Sequence, residues 1–171
     1  MALVKLNNQS ISEVTGLPAG VGGKVLQIVN FQTGAVATGT TVLPFDNTIP
    51  QITEGTEFMT LAITPTSATS ELIIEVVFNG AGNIINRHGV ALFVGTTADA
   101  LAGAGWSQRE TDDIYTNTFK YKMTAGVTSA LTFRVRSGTP SSGTLTFNGL
   151  SGNVRLGAAV KSSITITEYE V

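Results

Sequence analysis

The chain has 171 residues, 42% of them hydrophobic and only 13% charged, with a net charge of −2. That is enough apolar chain for one domain with a core, and the weak acidity excludes the cationic footprint of a nucleic-acid binder or a basic membrane-surface helix. Cysteine is absent, which excludes disulfides, thiolate nucleophiles and Cys-based metal sites.

No run approaches the ~18 apolar residues of a membrane span. Met1 to Asn8 lacks the sustained apolar stretch of an export signal. A charge fraction well under the roughly 25% typical of soluble domains leaves a largely neutral surface, the kind that neighbouring subunits cover.

In chain order, residues 1–23 differ from the rest. Leu3, Val4 and Leu6, then Ile11 and Val14, form short apolar fragments, and Leu17-Pro18-Ala19-Gly20-Val21-Gly22-Gly23 supplies a flexible joint. This is expected to be an N-terminal arm with a hinge, whose apolar residues Leu3, Val4, Leu6, Ile11, Val14 and Leu17 contact a partner.

Residues 24–171 are expected to form one domain of short β-strands. The first starts at Val25 and ends before Gly34. Further strands are predicted at 36–43, 57–64, 71–78, 88–95, 114–123, 130–137, 143–148, 154–160 and 162–170, most of them rich in Val, Ile, Thr and Phe. Thr64-Pro65-Thr66-Ser67, Asn79-Gly80-Ala81-Gly82 and residues 137–143 carry turn chemistry. Thr97 to Gly103 is predicted as a short helical turn, with Thr97 or Asp99 as its cap. Strands without a convincing helix predict an all-β, jelly-roll-like antiparallel sandwich.

The residue types for catalysis are present but not in catalytic patterns. His88 is the single histidine, and no G-x-S-x-G elbow or other nucleophile motif surrounds any serine, so His88 is expected at the surface or in a turn. Asp112-Asp113, Glu54 with Glu57, and Glu168 with Glu170 are the carboxylate pairs to weigh for acid–base work. Asp112 and Asp113 are adjacent, so on a strand they diverge, and Glu168 and Glu170 share a face beside the C-terminus. No metal-binding loop or His cluster exists, and no cofactor is expected.

Charge on strands is more informative. Lys120 and Lys122 share one face of their strand, and Arg134 and Arg136 one face of the next. If those strands form a hairpin across 124–129, four of the ten basic residues line one stripe, opposed by Glu71 and Glu75 on another strand. Two outcomes fit: solvated faces, or rows that meet across a subunit interface and fix partner choice. Trp106, in the Gly-rich Gly103-Ala104-Gly105-Trp106, is either a loop contact for sugar or protein or a cap on the sandwich.

Several stretches resemble a family of tailed-bacteriophage structural proteins. They are Lys5 to Ile11, Gly23 to Val29, Asp46 to Gln51 with Glu54-Gly55, Ile63 to Ser70, Met123 to Gly126, Thr132 to Arg136 and Ser162 to Glu168. The resemblance spans nearly the whole chain. It implies virion assembly without catalysis, a jelly-roll-like sandwich, a homotrimer, and the major capsid protein or another virion protein as partner. Proteins of this kind occur on heads and on tail fibres. One arm and one body without a shaft suit a head decoration, or cement, protein in the virion, assembled in the host cytoplasm. The alternatives are a tail-fibre or receptor-binding module whose loops near Trp106 and 138–143 touch host glycans, and, third, a depolymerase using converging carboxylates.

Overall fold

Alternation of apolar and polar side chains makes most of the elements. A computed structural model describes residues 24–111 and 113–171; the predicted arm, with its six contact residues, and Asp112 lie outside the described residues. In β4 (Glu71–Gly82), Leu72, Ile74, Val76 and Phe78 are fully buried while Glu71, Ile73, Glu75 and Val77 face outward, the period-2 pattern of a strand covered on one side. The same alternation builds β7 (Tyr115–Thr124), β8 (Leu131–Gly138) and β12 (Ser162–Tyr169) and, with one irregularity, β3 (Thr56–Ile63), whereas in β5 (Arg87–Val94) every residue from His88 to Phe93 is buried.

The remaining long strands are β1 (Val25–Thr33) and β6 (Ala102–Ser107), and the short ones are β2 (Ala37–Gly39), β9 (Leu145–Phe147), β10 (Gly149–Leu150) and β11 (Asn153–Val154). Eight long strands form two antiparallel sheets, β1-β12-β4-β7 and β3-β8-β5-β6. Taken in chain order, the first long strand pairs with the last, the second with the seventh, the third with the sixth and the fourth with the fifth. This nested pairing is the wrapping of a jelly roll. Short β9 takes over the edge of β4 from β12, and β2 adds to β9.

Between the sheets, Leu72, Ile74, Val76, Ile164 and Ile166 meet Met59, Ile63, Val90, Leu92, Phe133 and Val135. A register shift in β3 between Glu57 and Met59 brings Phe58 against Phe147, ring centroids 5.1 Å apart, and Phe78 packs 5.3 Å from Phe147; a bulge re-aims a side chain in this way. At one end of the core Trp106 lies among Phe78, His88 and Tyr115.

Five expectations are corrected. The Gly-rich run before Trp106 is strand β6, not a loop, and Trp106 is buried. His88 is fully buried on β5 opposite Trp106, not exposed. Residues 97–103 form no helical turn; Asp99 makes a β-bridge to Gln51. The predicted strand at 154–160 is a 3-10 turn at Leu156–Ala158 with left-handed backbone, a conformation that ends strand pairing. Finally, β7 and β8 are not a hairpin, because the 125–130 connection crosses from one sheet to the other.

Three glycines explain how the second sheet is covered. Gly105, Gly89 and Gly138 stand opposite one another across β6, β5 and β8, leaving a strip of outer face without side chains. The 40–55 loop lies in that strip. A Cβ on Gly105 would meet the Phe45 ring, one on Gly89 the Leu43 side chain, and one on Gly138 the Thr41 carbonyl oxygen. Leu43 of the loop and Ala91 and Phe93 of β5 are buried, so β5 is apolar on both faces.

Candidate functional site

The predicted charge rows are satisfied within the chain and in two separate places. On the outer face of β4 and β7, Lys120 Nζ lies 2.6 Å from Glu75 and Lys122 Nζ 2.7 Å from Glu71. Lys120 is directly opposite Glu75 in the register, whereas Glu71 reaches Lys122 diagonally. The Glu75 carboxylate holds the Lys120 ammonium above its ordinary value, first through the hydrogen bond and then through its charge. Arg134 and Arg136 lie on the other sheet and both bind Glu57, at 3.0 and 3.3 Å. Arg136 also donates to the carbonyls of Glu54 and Gly55, and Arg134 to that of Gly95. Arg136 thereby pins the end of the 40–55 loop to its sheet, and Arg134 ties β8 to the turn after β5. The expected single stripe of Lys120, Lys122, Arg134 and Arg136 is therefore not formed.

Trp106 does not offer a loop contact either. Its indole stacks 5.2 Å from the His88 imidazole and caps one end of the sandwich. Burial, opposed by a weaker hydrogen bond to the Ile84 carbonyl, holds His88 below its ordinary pKa, so its ring is neutral at pH 7. No serine or carboxylate bonds it among the described residues. Gln108, also buried, accepts from the Gly82 N–H at 2.7 Å and donates back to the Gly82 carbonyl, which holds the β6 end against β4.

Of the weighed carboxylates, Asp113 accepts the Tyr115 hydroxyl at 2.9 Å. Glu168 is the unexpected one. It is fully buried at an inward position of β12 and forms no ion pair among the described residues. One oxygen accepts from the Thr66 N–H at 2.8 Å, the Thr66 hydroxyl at 2.9 Å, the Ser67 N–H at 3.4 Å and the Ser70 hydroxyl, and the other from Gln27 Nε2 at 2.6 Å. Burial raises its pKa, but the combined donors of Ser70, Gln27 and Thr66 outweigh it and bring the group down to about 2. Glu168 thus ties β12 to β1 and to the β3–β4 loop. Its signal in the sequence is the alternation Ser162, Ile164, Ile166, Glu168, which places a carboxylate on the core side.

One concavity of about 340 Å³ opens where β2, β9 and the end of β4 meet the β10–β11 turn, lined by Thr38, Asn83, Thr144, Thr146, Ser151 and Gly82. Its lining has hydroxyls, an amide and backbone groups but no charged or aromatic side chain. Such a surface hydrogen-bonds neutral polar groups and has nothing to drive acid–base chemistry. Among the described residues no group of three His, Cys, Asp or Glu side chains could hold a metal ion, and no helix is long and apolar enough to cross a membrane.

Fold and surface together define a two-sheet jelly-roll protein. No protein-family model matches the chain, and no curated protein matches it. Among solved structures it is similar to one described as "CBM4 structure and function", with 14% identity, a TM-score of 0.40, and 75% of this chain and 76% of the other covered. It is also similar to the EclA C-terminal domain, a sugar-binding protein (19% identity, TM-score 0.39, 86% and 96% covered). A third is the infectious bursal disease virus Gt strain (10% identity, TM-score 0.38, 86% of this chain and 38% of the other). These likenesses are of fold alone.

Proposed function

We propose that the chain is a non-enzymatic structural protein of a phage virion, a capsid decoration protein that binds the head surface through residues 1–23 and associates with copies of itself through its sandwich. The observation that carries this reading is the edge of the first sheet. Strand β1 is nine residues long, follows directly on residues 1–23, and holds no Lys, Arg, Asp, Glu or Pro. Val25, Ile28 and Phe31 on it are exposed. Among the described residues only β12 pairs with β1; proteins that remain free usually blunt such an edge with charge or proline, and an edge without either suits main-chain pairing with a partner.

The low charge of the chain and its resemblance to phage structural proteins support the same reading. Deleting residues 1–22 is expected to abolish occupancy on purified capsids while the circular dichroism and thermal midpoint of the body stay those of the parent; retained occupancy overturns the anchor role.

The neutral concavity favours a second reading, a receptor-binding module for host glycans. Its 340 Å³ is at the small end of ligand sites and fits one or two sugar rings. A glycan array probed with the parent and with a Thr146→Val variant decides it: binding lost in the variant supports this reading, and no binding by the parent removes it.

A further inference from the structure

The cations and carboxylates are segregated along the chain. From Val25 to Asn86 every charged residue is acidic (Asp46, Glu54, Glu57, Glu71, Glu75), and from Ile114 to Thr167 every one is basic (Lys120, Lys122, Arg134, Arg136, Arg155, Lys161). Folding joins Glu57, Glu71 and Glu75 to Lys120, Lys122, Arg134 and Arg136. Asp46 and Glu54 remain from the acidic part and Arg155 and Lys161 from the basic part, with no ion pair to any of them among the described residues.

Both leftovers sit beside exposed apolar side chains. Leu156 is 80% and Val154 50% exposed around Arg155, while Ile49 is 56% and Phe45 48% exposed around Asp46. The basic tip is also strained. Leu156, Gly157 and Ala158 have φ of 49°, 59° and 66°, and the turn buries none of its residues. Left-handed backbone at a leucine and an alanine persists where surrounding contacts over-determine it, and here the chain itself supplies few. A partner that packs on the tip would supply them.

We infer that the 153–161 tip of one copy docks on the 45–54 loop of a second copy, Leu156 packing against Phe45 and Ile49 and Arg155 and Lys161 meeting Asp46 and Glu54. The tip follows β9 of the first sheet and the small β10–β11 ribbon, whereas the loop lies on the outer face of the second sheet. With the tip of each copy on one neighbour and its loop on another the contact is heterologous, and a rotation that closes makes it a ring. Charge complementarity selects this occupant over an unrelated surface: net −2 copies meet here through opposite signs.

The inference specifies the self-association in the proposed function and rests on that part of it. Its test needs no capsid, so it fails independently of the anchor. The mass of the full chain is measured by sedimentation equilibrium at micromolar to tens of micromolar concentration. The parent is expected at a discrete multiple of 17.8 kDa, and Leu156→Asp and the pair Arg155→Glu with Lys161→Glu at the single-chain mass. Adding Asp46→Lys and Glu54→Lys to that pair restores the multiple.

Leu156→Gly separates strain from contact. It relieves the left-handed leucine, so the thermal midpoint is expected to rise by roughly 2–4 °C, while self-association weakens at least about tenfold through the lost side chain. A parent at the single-chain mass, a Leu156→Asp variant at the parent's mass, or a chain with all four charge reversals that stays at the single-chain mass would each overturn it.

Discussion

A Glu168→Ala variant is expected to lose about 3 kcal/mol of stability at pH 7, and that loss should shrink as the solution is acidified. The carboxylate collects five donors from Thr66, Ser67, Ser70 and Gln27. Removing it leaves buried hydroxyls and N–H groups without an acceptor, at about 1–3 kcal/mol for each that finds no substitute. The folded carboxyl titrates at about 2 against an ordinary 4.5. Its stabilisation is therefore present in full above pH 4.5 and is lost as pH falls toward 2. Urea midpoints of parent and Glu168→Gln, taken every half unit across that window, provide the check. The gap between them should close there; a gap constant down to pH 2 would show that the charge on Glu168 contributes nothing.

Gly138→Val should cost about 3 kcal/mol, at the upper end of what overpacking normally costs. A Cβ at this position would come 2.4 Å from the Thr41 carbonyl oxygen and 2.9 Å from the Leu43 N. Both are backbone atoms of a loop held at Leu43 by a hydrogen bond to the Thr139 carbonyl, so neither can rotate away as a side chain would. The loop has to lift, and Ala91 and Phe93 then meet water. Gly95→Ala is the comparison: φ there is 58° with open space around the Cβ, so it suffers only the conformational penalty, roughly 1 kcal/mol. Thermal unfolding with limited proteolysis checks both. Valine at 138 should lower the midpoint and open 40–55 to cleavage, and a variant as stable as the parent would mean that the loop does not depend on this close approach.

Much of the fold is legible in the sequence because strand alternation is a local signal. Leu72, Ile74, Val76 and Phe78 against Glu71, Ile73, Glu75 and Val77 define a strand and its buried face without any knowledge of a partner. Strand β6 escapes that logic. Its outward positions include Gly103 and Gly105, which look like a loop until Phe45 of the 40–55 segment is seen against Gly105, and the expected places of Trp106 and His88 fail with it. The turn at 156–158 escapes because its left-handed residues include Leu156 and Ala158, types that do not announce such a backbone.

The candidate site was less legible. Glu71, Glu75, Lys120 and Lys122 pair within one chain instead of lining a shared stripe, and Arg134 and Arg136 lie on the other sheet. Period-2 patterning says which face a side chain takes, and says nothing about which strand comes next to it. The Glu168 cluster gathers donors from positions 27, 66, 67 and 70, separated by up to 141 residues, and no spacing rule connects them.

The amino-acid sequence by itself determined an all-β chain of low charge, the inward face of most strands and the lack of a recognisable catalytic motif, since each depends on local composition and alternation. Only the tertiary structure decided the nested pairing of the eight strands, the burial of Trp106 and His88, the anionic clamp at Glu168 and which charges form ion pairs among the described residues. Those features depend on which distant segments come within a few ångströms of each other, and that is settled by the packing of both sheets and the loop across the second.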